Sequence, residues 1–202
     1  MFASAVILAA GKSTRFPGNK LVHEVSVRGV KAPLIRHTVM RFIESGVFQE
    51  VLVVLGFEGG LIKGILNDLN VAFTYNENYE SGMSTSVIRG VGSVNPMADV
   101  VAIHPGDVPY VGVDTLRGLV RYAADLLSRD DSFIVVPRLA SAGRGGHPLV
   151  VGKGLMPEVL KIREDELGLK GLLMRRGDRV HYYETDDAGI LRDVDTPEDL
   201  MR

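Results

Sequence analysis

The sequence predicts a single α/β domain built in three layers, α/β/α, around a mostly parallel sheet. Three observations carry this prediction. Short β-branched runs alternate with longer helical patterns, the strand runs are apolar at nearly every residue, and the whole chain has the length of one large domain. A strand that is apolar throughout is one buried on both faces, as parallel strands covered by helices are.

Residues 4–9 form the first strand and lead into a polar, glycine-containing loop over residues 11–20. Pro33 stands where a first helical turn begins, and Leu34, Val39, Phe42 and Ile43 recur at helical spacing until Gly46 stops them. A helix over residues 33–45 follows from that pattern. Residues 50–55 (EVLVVL) read as a buried strand, residues 59–70 as a helix, 71–75 as a strand and 76–82 as a polar connection. A helix is expected over residues 83–92. The strand of residues 99–104 runs into the turn Pro105, Gly106, Asp107, and a long amphipathic helix over 113–128 precedes a strand at 133–136. Beyond Pro137 the chain is glycine-rich over residues 140–146. It then gives a short strand at 148–151, helices near 154–162 and 167–175, a strand at 179–184 and a helix opening at Pro197. The sum is a Rossmann-like arrangement in one domain spanning residues 1–202.

Composition narrows the functions such a domain can have. With 23 Lys and Arg against 25 Asp and Glu, the formal charge of −2 lacks the bulk positive field that sequence-independent nucleic-acid binding requires. No run approaches the roughly 18 apolar residues of a membrane span, so no membrane partner is expected. The absence of cysteine excludes disulfides, thiol nucleophiles and Cys-ligated metals, and it fits a reducing, cytoplasmic setting.

In open α/β sheets ligands bind beyond the carboxyl ends of the strands, so the loops after each strand are where chemistry is sought. The junction after the first strand reads LAAGKSTRFPGNK, residues 8–20. Small residues let backbone N–H groups approach an anion, Ser13 and Thr14 donate further hydrogen bonds, and Lys12, Arg15 and Lys20 offset phosphate charge. A polyphosphate ligand is implied, against the alternative of a solvated surface loop. Neither common phosphate loop accounts for it. A P-loop ending at Gly11, Lys12, Ser13 requires glycine at position 6, which is Val6, and the dinucleotide fingerprint fails because Ser13 stands where its second glycine belongs.

The segment does resemble the L-A-A-G-x-S-x-R-x-x-x-x-K signature of the MobA-like NTP transferases, nucleotidyltransferases with a nucleotide-diphospho-sugar transferase-like (GT-A-like) fold. Leu8, Ala9, Ala10, Gly11, Ser13, Arg15 and Lys20 match in order. The molybdenum cofactor cytidylyltransferase branch is the most similar, because alanine is usual there at the position of Ala10. Three further motifs follow in order. Residues 82–87 (GMSTSV) resemble the segment that opens the helix beside the nucleotide, with Gly82, Ser84 and Ser86 as nucleotide-binding candidates; a capped helix with no ligand is the other reading. Residues 104–109 (HPGDVP) resemble the element whose aspartate, here Asp107, holds the catalytic metal, although Asp in such a turn is often only a turn former. Residues 193–199 (DVDTPED) place two carboxylates at i and i+2 of an extended segment, on one side, with Asp195 the candidate second ligand and Asp193 in reserve. Thr196, Glu198 and Asp199 read as a helix start.

The resemblance implies Mg²⁺, with Mn²⁺ as the alternative, a nucleoside triphosphate and a phosphorylated small-molecule acceptor. Leu8 to Gly11 read the base, Lys12 and Ser13 bind phosphates, Arg15 stabilises the leaving pyrophosphate, Lys20 the charge near the α-phosphate, and Asp107 with Asp195 the metal. His147, in the GGHPL stretch, is the acceptor-side candidate. Residues 1–110 carry nucleotide and metal binding, and residues 111–202 the acceptor side. A monomer or weak homodimer is expected. The family's G-D-x-G-A-R segment is here Gly168-Leu169-Lys170-Gly171-Leu172-Leu173, a departure that bears on the acceptor. Transfer of CMP from CTP to molybdopterin is the expected reaction. Alternatives are GTP or ATP as donor, a sugar phosphate or alcohol phosphate as acceptor, and a non-catalytic nucleotide-binding regulatory domain.

Overall fold

The structure, a computed structural model, describes residues 1–13, 16, 18–194 and 196. Along the chain lie β1 (Ala3–Ala9), a hairpin of β2 (Glu24–Val27) and β3 (Val30–Pro33), α1 (Leu34–Ser45), β4 (Glu50–Leu55), α2 (Gly59–Ile65) and β5 (Ala72–Tyr75). They are followed by α3 (Met83–Val91), β6 (Val100–Pro105), α4 (Val113–Leu127), β7 (Ile134–Leu139), β8 (Arg144–Gly145), β9 (Leu149–Gly152), α5 (Met156–Val159), α6 (Gly168–Arg175) and β10 (Val180–Thr185).

The main sheet runs in the order β10, β7, β9, β6, β1, β4, β5, with β8 paired to β7. Strand β1 lies parallel between β4 and β6, β4 is parallel to β5, and β7 to β10. Among the described residues only β8 and β9 of this sheet run against their neighbours. The unbroken apolar run of β1 now has its explanation. Ala3, Ala5, Ile7 and Ala9 face one core shared with α1, α2 and α4, whereas Val6 and Ala10 face a second core shared with α3, α5 and α6. Each helical layer thus takes alternate residues of the same strand.

The fold is the expected mostly parallel, three-layer domain, with local differences. Helix α1 ends where expected: Gly46 takes the left-handed conformation, φ 68°, and its N–H bonds to Ile43 O at 3.1 Å. Helix α2 is shorter than the 59–70 pattern. Asn67, Asp68 and Asn70 are poor helix formers, and Arg36 takes both Ile65 O (2.9 Å) and the Asp68 carboxylate (2.7 Å), fastening the chain as it turns away. The helix expected at 154–162 reduces to a 3-10 turn, Lys153–Leu155, and the single turn of α5 with Pro157 in its first turn. The helix expected from Pro197 lies outside the described residues. Hairpin β2–β3 was not anticipated; its turn residues Arg28 and Gly29 both have positive φ, 54° and 80°, the two-residue reversal that matches strand twist. Among the described residues no helix is long and apolar enough to cross a membrane.

Candidate active site

Strands β1 and β6 are in register and end together, Ile7 beside His104 and Leu8 beside Pro105, so the loops that follow them meet. Gly106 makes the approach possible: a Cβ there would lie 2.8 Å from Leu8 O, whereas its own N–H bonds to that oxygen at 2.9 Å. The next residue is Asp107. Its turn is tied to the rest of the molecule from several directions. Thr38 of α1 donates its hydroxyl to Gly106 O at 2.7 Å, Nε2–H of His104 donates to Val108 O at 2.8 Å, and Val194 N–H donates to Asp107 O at 3.0 Å.

A cavity of about 350 Å³ opens at this carboxyl edge. Leu8, Ala10, Gly11, Ser13, Lys20, Gly82, Ser86 and Asp107 line it, together with Phe16, Tyr79, Glu80 and Met83. Three segments far apart in sequence, the first loop, the start of α3 and the turn after β6, therefore converge on one space. Ser13 has φ 53°, its carbonyl accepts the N–H of Phe16 at 2.8 Å and its hydroxyl that of Lys20 at 3.3 Å, so Ser13 ties both residues to the cavity wall. Phe16 is buried against His23, with ring centroids 4.7 Å apart.

Charge in the cavity is internally paired. The Lys20 ammonium lies 2.6 Å from the Asp107 carboxylate, and both side chains are largely shielded from water. Lys12 reaches across the mouth to Glu80 and over the Tyr79 ring. Glu80 holds the Lys12 ammonium above its ordinary pKa and is itself held below the usual carboxylate range.

Other expected residues sit elsewhere. The Ala9 side chain packs in the core on the α1 side. Ser84 lines a second, larger cavity of about 690 Å³, and the N-terminus of α3 already has an anion. The Glu164 carboxylate accepts Ser84 N–H at 2.8 Å, and the hydroxyl and N–H of Ser84, aided by Met83 N–H, hold its pKa low. Ser86 stays in the first cavity, its oxygen accepting from Asn76 Nδ2 at 2.9 Å. His147 lines the second cavity, its ring 6.2 Å from that of His104. Burial pushes the His147 pKa down, against the pull of Asp107 and Asp193. Burial and His147 push His104 down to about 3, partly offset by the hydrogen bond to Val108. Arg15 and Asp195 lie outside the described residues.

The residues present fit a hard divalent cation. The Val194 N–H on Asp107 O at 3.0 Å brings the chain beside Asp193 up to the Asp107 turn, and carboxylate oxygens are the donors Mg²⁺ takes. No cluster of three or more His, Cys, Asp or Glu forms among the described residues.

The second cavity is walled by Val87, Val136, Leu149, Leu169 and Leu173 and rimmed by Arg138, Lys170 and Tyr182. The Arg138 guanidinium stacks 4.3 Å from the Tyr182 ring centre and its Nε bonds Glu184 at 2.7 Å. Met83 lines both cavities and divides them. Glu164, Glu80, Tyr79, Phe16, Thr38, His104 and Arg138 are among the contributors that the sequence did not single out. His104, inside the HPGDVP motif, and Phe16, inside the residue 8–20 segment, carried a local signal.

A carboxyl-edge cleft joining a small-residue loop, a cation and an acidic turn defines a nucleotidyltransferase domain. The MobA-like NTP transferase domain matches residues 5–180, and the chain belongs to that family. It is 29% identical over 118 residues to the bifunctional protein GlmU of Hydrogenobaculum, covering 58% of this chain, and it spans about a quarter of the length of the GlmU relatives it matches. It is 27% identical over 155 residues to the molybdenum cofactor cytidylyltransferase of Escherichia coli, covering 76% of this chain and 73% of the relative. To the nicotine blue oxidoreductase of Paenarthrobacter nicotinovorans it is 26% identical over 208 residues, covering 98% and 95%. Among solved structures, a nucleotidyl transferase from Methanothermobacter thermautotroptrophicus superposes with a TM-score of 0.79 at 25% identity, covering 100% of this chain and 95% of that one. The manganese complex of Rv0371c from Mycobacterium tuberculosis shares the fold, with a TM-score of 0.77 at 22% identity, covering 100% and 97%.

Proposed function

We propose that the protein transfers CMP from CTP to the phosphate of molybdopterin, or of its metal-bound form, and releases pyrophosphate. The observation that carries this reading is the convergence of the Gly11–Ser13 loop, Lys20 and Asp107 on one cavity at the carboxyl edge of the sheet. The choice of base rests on Ala10 and on the likeness to the Escherichia coli cytidylyltransferase.

In this reading the base lies over the end of β1 against Leu8, Ala10 and Gly11, and the phosphates lie under the loop that carries Ser13. An acceptor phosphate oxygen, already ionised at neutral pH, attacks the α-phosphorus in line; the new P–O bond forms as the α,β-anhydride bond breaks, and pyrophosphate carries off the electron pair. No general base is required. The protein's work is positioning and charge neutralisation, with Lys20 offsetting charge at the α-phosphate and Arg15 charge on the leaving group. When bound, Mg²⁺ or Mn²⁺ would supply Lewis-acid stabilisation of the phosphates, held by Asp107 and by Asp195 or Asp193. The acceptor enters from the second cavity, past Met83 and His147. Its apolar walls favour an acceptor with a poorly hydrated body over a sugar phosphate.

Asp107→Asn tests the reading. The side chain borders a cavity rather than the core, so the variant folds, and turnover falls by at least about 100-fold, as when one strong electrostatic contact to a transition state is lost. Near-normal turnover in that variant contradicts the assignment.

A further inference from the structure

We infer that Lys20 is the resident cation of Asp107, and that it makes occupation of this carboxylate by a divalent ion depend on nucleotide. The inference rests on the proposed role of Asp107 and adds an order of events to it. The Lys20 ammonium lies 2.6 Å from Asp107 Oδ2, with the two side chains only 12% and 23% exposed. A unit positive charge therefore stands against the oxygen that a metal would use, in a place where water screens it weakly. The backbone that carries the carboxylate is fastened by Thr38, His104 and Val194, so the turn itself stays in place. The Lys20 charge sits on a flexible four-carbon stem, whereas its backbone is held in place, the N–H bonding Ser13 Oγ at 3.3 Å and the carbonyl accepting His23 N–H at 3.2 Å, so the ammonium can be redirected without moving the chain.

A bare divalent ion must compete with this ammonium for Asp107. Nucleotide phosphates in the adjoining cavity change that balance, because they offer Lys20 another anion within the same loop and leave the carboxylate to the ion. Since the coupling is a free energy shared between two ligands, it is reciprocal: the ion strengthens nucleotide binding to the same degree. Lys12 shows the same economy of charge at the mouth, where Glu80 serves as its partner.

The experiment is a Mn²⁺ titration followed by electron paramagnetic resonance, without nucleotide, on the wild type, Lys20→Met, Lys20→Gln, Lys20→Arg and the double variant Lys20→Met/Asp107→Asn. Thermal unfolding confirms that each is folded. Lys20→Met is expected to bind Mn²⁺ about tenfold or more tighter than the wild type, since a like charge within a few ångström is removed. Lys20→Gln is expected to gain similarly, Lys20→Arg to stay weak, and the double variant to lose the gain. Unchanged or weaker Mn²⁺ binding in both neutral variants overturns the inference. A gain that survives Asp107→Asn shows instead that Asp107 is not the ligand, and so overturns the reading of the site on which the inference stands. Failure of the functional reading is separately visible as the absence of any nucleotide-induced rise in melting temperature in the wild type with Mn²⁺.

Discussion

Thr38→Val replaces one hydroxyl with a methyl on a helix that borders no part of the nucleotide cavity. Thr38 is fully buried, and its hydroxyl bonds Gly106 O at 2.7 Å, with Leu34 O more distant at 3.4 Å. Valine fills the same volume, so no hole is made, but the Gly106 carbonyl keeps its desolvation cost and loses this donor. A buried acceptor left without its partner costs about 1–3 kcal/mol. For a domain of this size that is a fall of roughly 2–10 °C in melting temperature. The functional consequence is larger than the distance suggests, because Gly106 precedes Asp107 and a loosened turn displaces the carboxylate. A displacement of ångström scale at a reacting centre costs up to about 100-fold in rate. The expected result is therefore a fall in kcat of about 10- to 100-fold with little change in nucleotide KM, recovered in Thr38→Ser, which keeps the hydroxyl. Differential scanning calorimetry and steady-state pyrophosphate release measure both effects. A variant with wild-type melting temperature and wild-type kcat would refute the claim that this bond holds the Asp107 turn.

Glu164→Ala removes the carboxylate that accepts Ser84 N–H at the start of α3; an exposed cap of this kind is worth about 1 kcal/mol, so a loss of a few degrees in melting temperature is expected, and no loss would show that the contact is idle. His104 supplies a pH dependence. Its pKa is about 3 in the fold against 6.5 ordinarily, so between those values the unfolded chain binds the extra proton, and stability present above pH 6.5 is lost as the pH falls. The loss from this group between pH 7.5 and 5 is about 2 kcal/mol, and denaturant unfolding of His104→Gln is expected to show a correspondingly shallower slope; equal slopes contradict a neutral, buried His104.

The layers of the fold were legible because burial on two faces writes itself into strand composition. The apolar runs in β1, β4 and β6 have no other economical explanation, and Pro33 and Gly46 marked the ends of α1. Hairpin β2–β3 was legible in principle. Val25 and Val27 are buried between exposed Glu24 and Ser26, and Arg28-Gly29 forms the turn, but the stretch is short and polar beside the helical pattern that follows it. Strand β9 could not be oriented from sequence, since nothing local tells a central strand which way its neighbours run. At the site, the motifs carried Lys20 and Asp107 because each lies in a loop at a strand's carboxyl end. The partner of Ser84 was out of reach: Glu164 is 80 residues away, and a Gly-Ser helix start looks the same whether a phosphate or a carboxylate sits on it. The division of Ser84 and Ser86 between two cavities is likewise a matter of helix rotation, fixed only once α3 packs on β1 and β4.

The activity proposed for the protein is nucleotidyl transfer to a phosphorylated acceptor. It is tested most directly by pyrophosphate release in the presence of Mg²⁺, with ATP, CTP, GTP and UTP in turn and molybdopterin or its metal-bound form as acceptor. Acceptor-dependent release with CTP above the other three is the expected result. Release with none of the four, from a protein whose melting temperature no triphosphate raises, would contradict it.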